Sequence, residues 1–222
     1  MHMFARDHNF YGGHGIVGAT VALGTGIAFA NQYLENNEVC VTYFGDGAAN
    51  QGQVYESFNM AELWKLPVIY VIENNRYAMG TSITRSSAEV NLSRRGLSFN
   101  IPGEQVDGMD VRAVKAAGEK AAQWCRAGKG PFILEMLTYR YRGHSMSDPA
   151  KYRTREEVDK VKAERDPIDH LRERLTAAGV DEAALKTIDR EVKDVIAAAA
   201  EFAQASPEPA PAELYTDVLL EA

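Results

Sequence analysis

The sequence predicts an α/β protein built on a doubly wound, mostly parallel sheet with helices on both faces, and followed by a C-terminal helical extension. Three observations carry this expectation. Short apolar runs at 39–44, 68–72 and 132–139 each end in a glycine-rich or polar segment, as buried strands do. Segments with apolar residues at helical spacing separate those runs, which is the alternation that parallel sheets require. The chain has 222 residues, 45% hydrophobic and 25% charged, enough for one core. Residues 1–150 are read as the α/β domain and residues 151–222 as a helical extension packed on it.

Residues 1–11 are polar, aromatic and without a pattern. The segment at 13–18, GHGIVG, matches G-x-G-x-x-G, yet no apolar strand precedes it, so a dinucleotide fingerprint is not the reading. It reads as a loop entering a helix over 17–34, whose glycines and alanines permit close packing. Residues 8–34 contain no Asp, Glu, Lys or Arg, but six glycines and two histidines favour a buried helix over a membrane span. His14 is read first as a loop histidine, with catalysis as the alternative.

The run at 39–44 stops at Gly45-Asp46-Gly47. A helix over 53–65 follows, with Val54, Phe58 and Ala61 on one face, and Pro67 ends it. The second run ends in Glu73-Asn74-Asn75. Two short strands joined by a crossover helix lie parallel, so Asp46 and Asn75 are predicted to emerge together at one carboxyl edge, where α/β sheets bind ligands. A carboxylate and an amide oxygen suit Mg²⁺ completed by phosphate and water. The small residues Gly47, Ala48 and Ala49 leave backbone N–H groups accessible to an anion. Each dipeptide alone is an ordinary turn former.

Residues 76–84 read as a loop, and 85–108 as an extended surface connection. Residues 111–126 return to helical spacing, and 132–139 form a third, central strand. Beyond it, Arg140, Arg142, His144, Ser145, Ser147, Asp148, Lys151, Arg153 and Arg155 fall within 16 residues at a strand end. Such a loop is either a solvated charged face or a functional one. Thr154-Arg155-Glu156-Glu157 has the form of a capping box. Further helices are predicted from 154 to 164, from 166 to 179 and from 181 onward, the last with an apolar stripe from Leu185 to Phe202. Residues 206–211 read as a stiff linker, and 214–220 as a short terminal anchor.

Composition narrows the partners. A net charge of −7 argues against a nucleic-acid scaffold. Cys40 and Cys125 have neither zinc nor redox spacing and are read as reduced core residues. The N-terminal sequence has neither a transit nor an export pattern.

GDG, 26 residues, then NN resembles the metal and diphosphate motif of thiamine-diphosphate-binding folds. The strings GDGAANQGQVYESFNMAELWKLP, ENNRYAMGTS and TYRYRGHSMSDPAKYRTREE resemble the α subunits of thiamine-diphosphate-dependent 2-oxo acid dehydrogenase E1 components, the pyruvate-type members above all. Nearly the whole chain is covered, and an N-terminal third of the family's subunit has no counterpart, so a truncated chain is expected. The resemblance implies a thiamine-diphosphate-binding fold with thiamine diphosphate and Mg²⁺ as cofactors. It implies that Asp46, Asn75 and the Tyr77 carbonyl hold the metal, that Gly15, Val17, Gly47 and Ala48 touch the cofactor, and that His144 is catalytic. Expected partners are an E1 β subunit in an α2β2 heterotetramer, the lipoyl domain of the E2 acetyltransferase, and pyruvate, with no nucleic acid and no membrane. The β subunit would supply the carboxylic acid that the cofactor's aminopyrimidine needs. Ser145 matches a phosphorylation position of mitochondrial members. The loop after it lacks the later serine of animal members, which points to a bacterial, cytoplasmic form, with the mitochondrial matrix as the alternative. Branched-chain 2-oxo acid and acetoin dehydrogenases share the GDG and NN motif, and a catalytically silent fragment that only binds a partner is the reading from another class.

Overall fold

A computed structural model describes residues 2–216. Contacts divide the chain into two compact units, Met1–Leu171 and Arg172–Ala222.

In the first unit a 3₁₀ turn, Arg6–His8, closed by an Ala5–Phe10 bridge, gives the patternless start a small local structure. Helix α1 (Ala19–Tyr33) follows, then strand β1 (Cys40–Gly45), helix α2 (Gly52–Leu63) and strand β2 (Val68–Asn74). A two-residue hairpin, β3 (Tyr77–Ala78) with β4 (Thr81–Ser82), precedes the single-turn α3 (Ile83–Ser86) and a 3₁₀ segment, Leu92–Phe99. Strand β5 (Gly103–Asp107), helix α4 (Val111–Arg126), strand β6 (Phe132–Leu137) and helix α5 (Arg155–Arg165) complete it, and α6 (Pro167–Ala177) runs across the boundary.

The main sheet has the order β1-β2-β6-β5, every pair parallel. The predicted class and the central place of the strand at 132 therefore hold. The extended connection expected over 85–108 does not: it contains α3, a 3₁₀ segment with buried Leu92 and Ser93, and β5. GEQVD has no apolar run, and of its five residues only Val106 is buried.

Alternation along β2 divides the core. Val68, Tyr70 and Ile72 face one side, with Phe44, Val54, Phe58, Ala61 and Ile133. Ile69 and Val71 face the other, with Val106, Ala117, Ala121, Leu134 and Met136. Burying each such large side chain contributes about 1.5–3 kcal/mol. Tyr70 is fully buried, and its hydroxyl finds partners 2.7 Å away in Thr25 Oγ1 and 3.3 Å away in the Ser57 carbonyl. Val21, Gly24, Thr25 and Ala28 form the buried side of α1, and Gly24 is required there because a Cβ would meet Thr42 at 2.6 Å. Among the described residues no strand precedes α1 beyond that bridge, so the glycine pattern at 13–18 lacks the strand of a dinucleotide site. No helix among the described residues is long and apolar enough to cross a membrane.

The outer edge of β1 is open: among the described residues only β2 pairs with it, while Val41 and Tyr43 are exposed on one face. That face continues into an apolar groove of about 450 Å³ lined by Val41, Tyr43, Ile69, Val71, Val114 and Leu134.

In the second unit α7 (Glu182–Ala205) is capped by Asp181, whose side chain accepts from the Ala183 N–H at 3.2 Å. Arg172 and Asp189 pair at 2.9 Å. Ile188, Val192, Val195 and Phe202 of the predicted stripe are exposed. Residues 206–210 are extended, and Pro211–Tyr215 is a 3₁₀ turn with exposed Leu214 and Tyr215. Most of the anchor expected at 214–220 lies outside the described residues.

Candidate functional site

The register sets the site. Phe44 lies beside Ile72 and Gly45 beside Glu73, so β1 and β2 deliver Asp46 and Asn75 to neighbouring strand ends. Asp46 is buried, with 4% of its surface exposed. Burial pushes its carboxyl above the usual carboxylate range and Glu135 adds to the rise, while the Asp46 and Gly47 amides and Arg140 oppose it without winning. Among the described residues, Arg140 keeps one guanidinium nitrogen, Nη1, buried and without a hydrogen-bond partner. A carboxylate reluctant to ionise alone and an unsatisfied cationic donor together suit a metal ion and an anion.

Gly47 opens the 3₁₀ turn Ala48–Asn50, and a Cβ there would stand 2.5 Å from Ala78 Cβ, so only glycine fits. The turn therefore packs directly on the β3–β4 hairpin. On the hairpin's other side the Tyr77 ring meets Tyr152 at 5.0 Å between centroids. Asn75 Oδ1 accepts from the Tyr77 N–H at 3.2 Å, and Asn74 Oδ1 from the Arg76 N–H at 3.0 Å. These two bonds shape a turn in which Arg76 holds φ 74°, a conformation uncommon outside glycine.

The loop with Gly15 and Val17 is exposed and attached to the start of α2: the Val17 carbonyl accepts from Gln53 Nε2 at 3.0 Å. Gly18 holds φ 82°, and a Cβ there would meet Gln53 Nε2 at 2.9 Å. The loop thus sits beside the helix that leaves the GDG turn. His14 lines a separate cavity of about 550 Å³ along β1, with Phe10, Leu23 and Tyr43.

His144 is exposed on the loop after β6, and its N–H donates to Asp148 Oδ2 at 2.7 Å. Asp148 also accepts from the Ala150 N–H at 2.8 Å and the Tyr152 hydroxyl at 2.9 Å. The His144 amide first, then that of Ala150, holds its carboxyl below the usual range. Arg153 donates to the Arg140 and Arg142 carbonyls and lies over the Tyr139 and Tyr152 rings. Several charges that composition alone places on a solvated face are therefore internal fasteners of this loop. The capping box is half made: Thr154 Oγ1 accepts from the Glu157 N–H at 3.1 Å, but Glu157 accepts from the Tyr139 hydroxyl instead of returning to the cap. Burial, helped by Glu157, pushes the Tyr139 phenol up to about 12.

Among the described residues no three His, Cys, Asp or Glu side chains form a metal cluster. The candidate set instead combines one carboxylate, one amide and one backbone carbonyl, a hard oxygen donor set for Mg²⁺ that leaves positions for phosphate and water. Glu135 is absent from the predicted site residues, though it is fully buried beneath this edge. Its signal is a single charge inside FILEML, an otherwise apolar central strand.

The family model for the dehydrogenase E1 component matches residues 1–212. The chain is 67% identical over 221 residues to the pyruvate dehydrogenase E1 component subunit alpha of Rhizobium meliloti (strain 1021), covering 99% of this chain and 64% of that protein. It is 59% identical over 220 residues to the protein of that name from Zymomonas mobilis subsp. mobilis, covering 99% and 62%. It is 56% identical over 218 residues to the mitochondrial pyruvate dehydrogenase E1 component subunit alpha of Sminthopsis macroura, covering 96% and 58%. The chain spans less than two thirds of the length of these relatives. With the adjacent strand ends that carry Asp46 and Asn75, a match across nearly the whole sequence leads to one assignment: the chain belongs to the dehydrogenase E1 component family.

Proposed function

We propose that the chain acts as the α subunit of a pyruvate dehydrogenase E1 component, serving the oxidative decarboxylation of pyruvate and the transfer of its acetyl group to lipoamide on E2. The observation that carries this reading is the buried Asp46 beside the Asn75 turn, on adjacent parallel strand ends, in a chain 67% identical to a protein of that name. Asp46, Asn75 and the Tyr77 carbonyl would hold Mg²⁺, with the diphosphate against Gly47 and Ala48 and beside Gly15 and Val17. Thiamine diphosphate supplies, when bound, the carbanion and electron sink that decarboxylation of a 2-oxo acid needs.

This chain's own work is mainly positional and electrostatic. Asp46 carries a desolvation penalty that a cation removes, so metal affinity rises with pH through its raised pKa. Arg140, with its unsatisfied nitrogen, adds attraction for an anion at the same edge. His144, on an exposed loop whose backbone is held by Asp148, would hold or deliver a proton where a lipoyl group arrives. The proposed working unit is an α2β2 heterotetramer with an E1 β subunit, meeting the lipoyl domain of E2 in a bacterial cytoplasm.

Calorimetric titration of thiamine diphosphate and Mg²⁺, with the β subunit present, tests the site. Asp46→Ala is expected to abolish measurable binding, and intact affinity would sink the metal assignment. Pyruvate turnover exceeding that of branched 2-oxo acids by the reconstituted protein is expected, and the reverse order would replace the substrate.

A further inference from the structure

Glu135 lies mid-strand in β6, between Ile72 of β2 and Gln105 of β5 in register, with none of its surface exposed. A carboxyl group there requires hydrogen-bond partners. Its partners are three neutral donors. Oε1 accepts from Asn74 Nδ2 at 2.6 Å, while Oε2 accepts from the Ser93 N–H at 2.9 Å and from Gln105 Nε2 at 3.0 Å. The division between the two oxygens is informative. Oε2 ties the sheet to the Leu92–Phe99 segment and to β5, whereas among the described residues Oε1 has one partner, Asn74.

Asn74, itself buried, passes that contact on. With Nδ2 committed to Glu135, its Oδ1 faces the Arg76 N–H, and Arg76 is the residue at positive φ. Its two chain neighbours are Asn75 and Tyr77, the members of the candidate metal set that this turn contributes. We propose that Glu135 is a positioning residue for the turn: it fixes the rotamer and amide orientation of Asn74, which holds Arg76 in its left-handed conformation and so aims Asn75 Oδ1 and the Tyr77 carbonyl. This rests on the metal reading above and adds to it a residue that touches neither metal nor cofactor.

The asymmetry between the two oxygens supplies a specific test. In Glu135→Gln the amide oxygen stays with its two donors, Ser93 and Gln105, which leaves the new NH₂ facing Asn74 Nδ2, donor against donor. Relief comes from rotating the Asn74 amide, and that turns Nδ2 toward the Arg76 N–H. Asn74→Asp alone places carboxyl against carboxyl. The double variant Glu135→Gln with Asn74→Asp restores the relay with its polarity exchanged: the amide introduced at 135 donates to the carboxylate introduced at 74, whose second oxygen accepts from the Arg76 N–H.

Mn²⁺ binding to the full chain, coexpressed with the β subunit and saturated with thiamine diphosphate, is read by electron paramagnetic resonance, and the melting temperature of the metal-free protein is read in parallel. Each single variant is expected to lose about 10- to 100-fold in Mn²⁺ affinity, and the double variant to recover to within about threefold of the parent. Glu135→Gln binding within about twofold of the parent would overturn the proposal. So would a double variant as weak as the worse single one, or a metal-free melting temperature that falls in step with affinity and recovers in step with it. If Glu135→Gln does not fold, the double variant decides: folded and binding supports the relay, folded and not binding ends it, and failure to fold shows a scaffold residue and ends it too. Asp46→Ala is the control for the underlying reading. Retained Mn²⁺ affinity there removes the metal site itself, whereas loss there with an unaffected Glu135→Gln removes only the relay.

Discussion

Two aspartates at the same edge of the sheet are prepared in opposite ways. Asp46, at the end of β1, is buried and its carboxyl is held above the usual range by that burial. Asp148, in the loop after β6, is held below it by the N–H groups of His144 and Ala150 and by the Tyr152 hydroxyl. Asp148 has committed its acceptor capacity to its own loop. Asp46 has not gained enough from its surroundings to offset desolvation. A carboxylate satisfied by its own chain is a fastener, whereas one left short inside the fold is a place for something else to bind.

The largest expected effect would break the comparison at Asp46. Asp46→Asn removes the group whose charge is penalised, so it is expected to abolish metal binding and to raise the melting temperature of the metal-free protein near pH 7, by on the order of a few degrees. The sign follows from the raised folded-state pKa: the native state binds the proton more tightly than the unfolded chain does, so this carboxyl lowers stability as pH rises through its unfolded and then its folded pKa. The gain in Asp46→Asn should therefore disappear at acid pH, where the parent carboxyl is protonated in both states. Thermal scans across pH check this, and a variant less stable than the parent at neutral pH would mean that Asp46 is satisfied after all.

A smaller effect sharpens the other side. Asp148→Ala is expected to leave metal affinity within about twofold, an ordinary bound for a change outside a ligand set, while amide exchange of residues 143–150 accelerates and acetyl transfer to a lipoyl domain falls. Hydrogen-exchange mass spectrometry and a lipoamide assay read the two outcomes, and an unchanged exchange pattern would contradict the fastener role. The smallest effect belongs to Tyr77→Phe. It keeps the ring that meets Tyr152 and the carbonyl proposed for the metal, so activity and metal affinity should both stay near parental values. A clear loss would show that the phenol oxygen has a role of its own.

The unit β1-α2-β2 was legible because both strands are apolar runs, β2 buried on both faces and β1 apolar even at its exposed positions Val41 and Tyr43, and because polar residues at the ends of the runs mark the edge where ligands bind. β5 was not legible: Val106 is the one apolar side chain in GEQVD, so the segment carries no periodic signal to separate it from a loop. Asn75 could be singled out by its position after a strand. Glu135 could not be connected to it, because the hydrogen bond from Asn74 spans 61 residues and depends on β6 lying next to β2. Likewise the arginines after Tyr139 counted as charge in sequence, and only the folded loop shows Arg153 engaged by the Arg140 and Arg142 carbonyls while Arg140 keeps an unpartnered nitrogen.

The open side of β1 has a consequence for handling the molecule. No strand pairs with this side of β1 among the described residues, and although the Tyr43 carbonyl accepts from Thr20 Oγ1 at 2.8 Å, exposed Val41 and Tyr43 leading into an apolar groove leave a place where another chain can add a strand. Concentrated preparations of these 222 residues are therefore expected to tend toward edge-to-edge aggregation, with solubility limited by this strand.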